Sequence, residues 1–166
     1  MDNRYRRDHE MAYFSDASVI EEQLTAKKAV RQYNTVMPFD PEAGRKFLDE
    51  AGIVHGENVY FEPPFHCEYG THIILGENFY ANTGCVMLDV AKIRIGNNVM
   101  FGPNVSIYTA GHPIHPDSRN SGYEYGIPVT IGNNVWIGGS CVILPGVTIG
   151  DNGDPGDHRS GQALLL

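Results

Sequence analysis

At 166 residues the chain has room for one domain, or one domain with a small extension, and 42% hydrophobic content supplies a core. Twelve Lys and Arg against twenty Asp and Glu leave a formal net charge of −8. That balance argues against nucleic acid and against an anionic membrane surface, because both are bound through basic patches.

No apolar run of about 18 residues and no signal peptide is read at the start, where Met1-Asp2-Asn3-Arg4 leads into polar sequence. A cytoplasmic protein is expected. Residues up to about Asn34 read as helix. Ser18-Val19-Ile20-Glu21 fits a capping box, and Val19, Ile20, Leu24, Ala26, Val30 and Tyr33 form one stripe at helical spacing. A second helix is expected from Asp40, with Pro41 in its first position, through Ala43, Phe47, Leu48 and Ala51 to a stop at Gly52. Residues 1–54 together read as a helical cap, because the terminal unit of a repeat array needs a polar outer cover.

From residue 55 a phrase returns five times: Gly56-Glu57-Asn58, Gly76-Glu77-Asn78, Gly96-Asn97-Asn98, Gly132-Asn133-Asn134 and Gly150-Asp151-Asn152. Such self-similarity marks a repeat architecture. Each phrase is expected to be a turn in which Gly takes positive φ without strain and Asn tolerates the left-handed region. The finer period is six. Ile131, Ile137, Ile143 and Ile149 share one register, and Val129, Val135, Cys141 and Val147 another, two residues earlier. The same pairs recur upstream as Ile73/Leu75, Phe79/Ala81, Cys85/Met87, Ile93/Ile95, Val99/Phe101 and Val105/Ile107. Residues i and i+2 of a strand share a face, so each hexad is a short strand with two inward apolar residues. A helical period of about 3.6 residues cannot hold one face over repeated sixes. Three hexads make one three-sided coil, and residues 55–152 read as a mainly β parallel β-helix of about five coils.

Between residues 108 and 128 the hexads fail and a protruding loop is expected, carrying Thr109-Ala110-Gly111-His112-Pro113-Ile114-His115-Pro116 and Gly122-Tyr123-Glu124-Tyr125-Gly126. A long insertion in a compact repeat is usually functional. After Asn152 the pattern stops, and residues 153–166 read as an irregular tail that looks truncated or frame-shifted. Cys67, Cys85 and Cys141 are far apart, and two occupy inward registers; they read as reduced small hydrophobes.

Six segments carry a resemblance. They are Tyr13-Phe14-Ser15-Asp16, Glu62-Pro63-Pro64-Phe65, Asn78-Phe79-Tyr80-Ala81-Asn82, Met87-Leu88-Asp89-Val90, Gly111-His112-Pro113-Ile114-His115 and Ile131-Gly132-Asn133-Asn134-Val135-Trp136-Ile137-Gly138-Gly139. From about Met11 to Asn152 the chain resembles the maltose and galactoside O-acetyltransferases of the hexapeptide-repeat family. It is closer to the maltose type through Met87-Leu88-Asp89-Val90 and Arg119-Asn120-Ser121-Gly122; Val90 stands where the galactoside branch has a second Asp. The resemblance implies a left-handed β-helix, a homotrimer with active sites between subunits, acetyl-CoA as donor and a sugar hydroxyl as acceptor. Residue by residue it implies His112 as catalytic base, Asn82 and Asp16 as acceptor-binding residues with Tyr80 in the same segment, and Gly139 at the thioester end of acetyl-CoA. It also implies further coils past Asn152, absent from this chain, that cradle the rest of CoA.

The chemistry fits these residue types. A neutral imidazole can take the proton of a sugar hydroxyl as it attacks a thioester, and a turn such as Gly138-Gly139 exposes N–H groups to an oxyanion. No Ser lies in a nucleophile-elbow pattern, so no acyl-enzyme is expected. Trp136 reads as a donor-cleft residue or as interface packing, and His115 as a structural loop histidine. Asp16 also fits a helix N-cap, Asn82 also fits a structural coil corner, and Tyr123 and Tyr125 fit loop or subunit contacts. Two alternatives follow: a non-catalytic remnant with the acceptor site but an incomplete CoA site, and a metal hydratase. The second needs three convergent histidines. His66, His72, His112 and His115 offer no matching third ligand in the hexads, and no metal is expected.

Overall fold

A computed structural model describes residues 2–153. The expected tail beyond Gly153 lies outside the described residues. The N-terminal region is not one helix but a short helix α1 (Asn3–Asp8), a two-residue strand β1 (Tyr13–Phe14) and a long helix α2 (Ala17–Val36). The cap of α2 is Asp16, whose carboxylate accepts from the Ser18 and Val19 amides; Ser18 lies inside the helix, so the expected capping box does not form. The inward face of α2 is Val19, Ala26, Ala29, Val30 and Tyr33. Ile20 and Leu24, assigned to that stripe from spacing, are exposed. Helix α3 (Pro41–Glu50) begins at Asp40, which accepts from the Ala43 amide, and the chain leaves it through Gly52 at φ +80°.

Four complete coils follow. Strands β2 (Val54–His55), β3 (Tyr60–Phe61) and β4 (His66–Cys67) form the first coil. The second holds β5 (Ile73–Leu75), β6 (Tyr80–Ala81) and β7 (Val86–Leu88), and the third β8 (Ile93–Ile95), β9 (Met100–Phe101) and β10 (Ser106–Tyr108). An arm of β11 (Ala110–Gly111), α4 (Pro116–Asn120) and β12 (Tyr123–Gly126) then leaves the coil. The fourth coil holds β13 (Val129–Ile131), β14 (Trp136–Ile137) and β15 (Val142–Ile143), and β16 (Thr148–Ile149) opens a fifth. The strands stack in parallel into three faces. The first is β2-β5-β8-β13-β16, the second β3-β6-β9-β14 and the third β4-β7-β10-β15.

The inward positions are those of the sixfold rhythm. Ile73, Phe79, Ala81, Cys85, Met87, Ile93, Val99, Val105, Ile107 and Val129 are wholly buried. Cys141, on the same rhythm, is only half-buried. Helix α2 closes the open end of the first coil by standing in for a missing strand. Tyr33 donates its hydroxyl to the Phe61 carbonyl and accepts from the Phe61 amide, and Asn34 does the same at Phe65 through its side-chain amide. Backbone groups that an exposed edge would leave unpaired are satisfied this way.

In the repeated Gly-x-Asn phrase the division of labour differs from the sequence expectation. Positive φ belongs to the asparagines: Asn58, Asn78, Asn98, Asn134 and Asn152 lie between +56° and +62°. The glycines serve close approach. A Cβ on Gly96 would stand 2.8 Å from the Gly132 carbonyl carbon, and one on Gly132 2.7 Å from the Asp151 amide nitrogen. The asparagines also form a ladder, each Nδ2 donating to the Oδ1 one coil on, at 3.0 Å from Asn58 to Asn78 and from Asn78 to Asn98, and at 3.2 Å from Asn98 to Asn134.

Candidate functional site

The arm is rooted by Thr109, which is buried. Its hydroxyl donates to the Leu88 carbonyl and accepts from the Ala91 amide, tying the exit to the coil below. The arm's sheet has the order β1-β12-β11. Ala110 pairs with Gly126 and Gly111 with Tyr125, while Tyr13 pairs with Glu124 and Phe14 with Tyr123. Gly111 is required for contact: a Cβ there would lie 2.6 Å from Cε2 of Tyr125.

His112 follows β11 and is exposed. Its Nδ1 lies 3.4 Å from the Tyr123 carbonyl oxygen. A carbonyl only accepts, so a neutral imidazole making this contact carries its proton on Nδ1 and presents the Nε2 lone pair, the form a general base needs. His115 has an exposed side chain with Nδ1 3.9 Å from Asp117 Oδ2, beyond hydrogen-bond reach. Asp16 lies two residues past β1. Its Oδ2 accepts from Asn3 at 2.8 Å, and its Oδ1 accepts from the Ser18 hydroxyl at 2.6 Å. These bonds, Asn3 first and Ser18 next, hold the carboxyl down at about 2, so it stays ionised.

The other candidate residues lie on the second face. Tyr60, Tyr80, Met100 and Trp136 stand in register and point outward. The Tyr60 and Tyr80 rings are stacked at 6.1 Å, and Trp136 is 72% exposed. At the edge of this face Asn82 donates its amide to the Phe101 carbonyl and accepts from Thr83 on Oδ1. Gly102, directly above Asn82 in the stack, could not carry a side chain, since its Cβ would meet the Gly139 amide nitrogen at 2.6 Å. Gly138 has nothing within 4 Å of where its Cβ would stand. The second face thus ends in an open backbone corner at Gly138, beside the exposed indole of Trp136.

The arm leaves between the third and first faces, and the second face is the side of the prism opposite that corner. One chain therefore brings His112 and Asp16 to the arm, and Tyr80, Asn82, Trp136, Gly138 and Gly139 to the far face, without joining the two sets. Among the described residues no three His, Cys, Asp or Glu side chains converge as a metal site, and no helix is long and apolar enough to cross a membrane. Sequence reasoning missed the Tyr123 carbonyl and the strand β1. The alternating aromatics Tyr123 and Tyr125 between Gly122 and Gly126 carried a strand signal, but Tyr13-Phe14 is too short to carry one.

Stacked hexapeptide coils with one histidine-bearing arm define the class of hexapeptide-repeat transferases. The model "Bacterial transferase hexapeptide (six repeats)" matches residues 128–153. A putative acetyltransferase of Saccharomyces cerevisiae is 47% identical over 137 residues, covering 82% of this chain and 70% of its own. The crystal structure of a maltose O-acetyltransferase from Clostridium difficile superposes with a TM-score of 0.86 at 45% identity, over 92% of this chain and 82% of that one. A galactoside acetyltransferase in complex with coenzyme A gives 0.85 at 39%, over 92% and 76%. The chain belongs to the maltose and galactoside O-acetyltransferase family of left-handed β-helix proteins. It spans 65 to 70% of the length of the first curated relatives it matches.

Proposed function

We propose that this protein moves an acetyl group from acetyl-CoA to a hydroxyl of a sugar such as maltose or glucose, with His112 as general base and no acyl-enzyme. The observation that carries the reading is the exposed imidazole whose Nδ1 faces the Tyr123 carbonyl, leaving Nε2 free. The hydroxyl oxygen attacks the thioester carbonyl carbon while its proton passes to Nε2. The tetrahedral oxyanion takes hydrogen bonds from backbone N–H groups at the Gly138-Gly139 corner. Its collapse breaks the carbon–sulfur bond, and the imidazolium returns the proton to the leaving sulfur. The products are the acetyl ester and free CoA. Cys85 and Cys67 suit no covalent route: burial pushes the Cys85 thiol up to about 12 and holds Cys67 well above its ordinary value.

In this reading Asp16, Tyr80 and Asn82 bind the acceptor, and Trp136 and Gly139 the donor. The separation of the arm from the second face supports a homotrimer in which the arm of one subunit reaches the second face of a neighbour. Thiol release from acetyl-CoA with maltose, glucose or a β-galactoside is the direct test. Absence of release with every sugar, from a sample sedimenting as a folded trimer, would overturn the reading.

A further inference from the structure

A strand of two residues, far from the arm in sequence, forms one edge of the arm's sheet. Tyr13 and Phe14 pair antiparallel with Glu124 and Tyr123, and the rings of Phe14 and Tyr123 lie 4.1 Å apart. Tyr13 is fully buried in an apolar cluster with Val19, Tyr69 and Val90, separate from the core of the coils. Its hydroxyl donates to Oε2 of Glu124 at 2.8 Å across 111 residues of sequence. Burial, and then Tyr69 and Glu124 beside it, push this hydroxyl above its ordinary value and keep it a neutral donor.

A two-stranded ribbon is marginal in water by itself, and a third strand with an apolar anchor changes that. Strands β11 and β12 are such a ribbon, and β1 with Tyr13 is such an anchor. The chain of contacts then continues to the imidazole, because the residue paired with Phe14 is Tyr123, whose carbonyl faces His112 Nδ1.

We propose that Tyr13 is a positioning residue for His112. The N-terminal strand is a strap that fixes β12 through its ladder and the Tyr13–Glu124 bond, so that the Tyr123 carbonyl holds the imidazole at its working angle. The inference rests on His112 being the base proposed above. The strap residues lie outside the main core, so loosening them frees the arm and leaves the coils wound.

The test uses the full chain with Tyr13→Ala, with Tyr13→Phe, which keeps the ring and loses the hydroxyl, and with a Phe14→Cys/Tyr123→Cys pair that ties strap to arm by a disulfide. Directly opposed positions of an antiparallel pair are close enough for that bond. Tyr13→Ala is expected to lower kcat about tenfold to a hundredfold, as a displaced catalytic group does, with KM for acetyl-CoA within about twofold. Tyr13→Phe falls between the two. Amide exchange at Tyr123 to Gly126 rises in the same order. The oxidised disulfide restores kcat in the Tyr13→Ala background, and its reduction removes the gain. An unchanged kcat in Tyr13→Ala, or a loss that the disulfide does not restore, overturns the proposal. If the unaltered chain acetylates no sugar, the functional reading falls and exchange alone decides the strap: faster in Tyr13→Ala supports it, unchanged refutes it.

Discussion

The imidazole of His112 faces the carbonyl of Tyr123, with 3.4 Å between Nδ1 and the oxygen. His112 is exposed. His112→Ala is therefore expected to lower kcat for acetyl transfer by about 10² to 10⁴, the range of a lost general base. Its thermal midpoint should match the parent, since exposed substitutions away from special features change stability by about 0.5 kcal/mol or less. Steady-state thiol release and a thermal melt on one sample check both halves.

Trp136 is the sole tryptophan of the chain and is 72% exposed on the second face. Intrinsic fluorescence thus reports on one position. Titration with CoA is expected to quench the emission and shift it to the blue, and His112→Ala should give the same titration curve, because the arm acts on the acceptor. A flat response to CoA in the assembled protein would remove Trp136 from the donor site.

Asn98 and Gly96 sit in one turn for different reasons. Asn98→Ala loses two ladder bonds and places an alanine at φ +56°. A cost of about 1–3 kcal/mol is expected from the backbone conformation. Gly96→Ala drives a methyl group into backbone, 2.8 Å from the Gly132 carbonyl carbon, and should cost more than Asn98→Ala. Asn98→Gly relieves the backbone and loses only the ladder, so it should be the mildest of the three. Urea midpoints of the set give the order.

Asp16 is an exposed carboxylate held down at about 2 by its bonds to Asn3 and Ser18, against an ordinary value of 3.8. A lowered folded-state value means the charged form is bound more tightly in the fold, so its contribution is present above about pH 4 and fades as pH falls toward about 2. Asp16→Asn should be less stable than the parent at pH 6, and the gap in urea midpoints should close as acid is added. A gap that stays constant over that range would show that the charge contributes nothing through the cap.

The second helix was legible because Asp40, Pro41 and Gly52 are local signals acting within a turn or two. The first region departs from its expectation where two signals overlap. Ser18 and Glu21 satisfy the spacing of a capping box, yet Asp16 reaches the Ser18 and Val19 amides first, and the strand between α1 and α2 has too few residues to show a period. Ile20 and Leu24 fit the helical stripe by spacing, but the inward face of α2 is carried by Val19, Ala26, Ala29, Val30 and Tyr33 and leaves them outside.

By itself the sequence determined the solenoid. Inward residues at every sixth position, with a Gly-x-Asn turn between them, impose stacked strands through contacts that repeat locally. Tertiary structure decided what the period does not encode. It gave positive φ to Asn98 and close packing to Gly96, because only stacked neighbours reveal which atom lacks room. It joined Tyr13 to Glu124, since a pairing across 111 residues is chosen by burial in a shared apolar cluster and leaves no spacing to read. It put the root of the His112 arm between the third and first faces and Trp136 on the second, because direction around a closed three-sided coil exists only once the coil is wound.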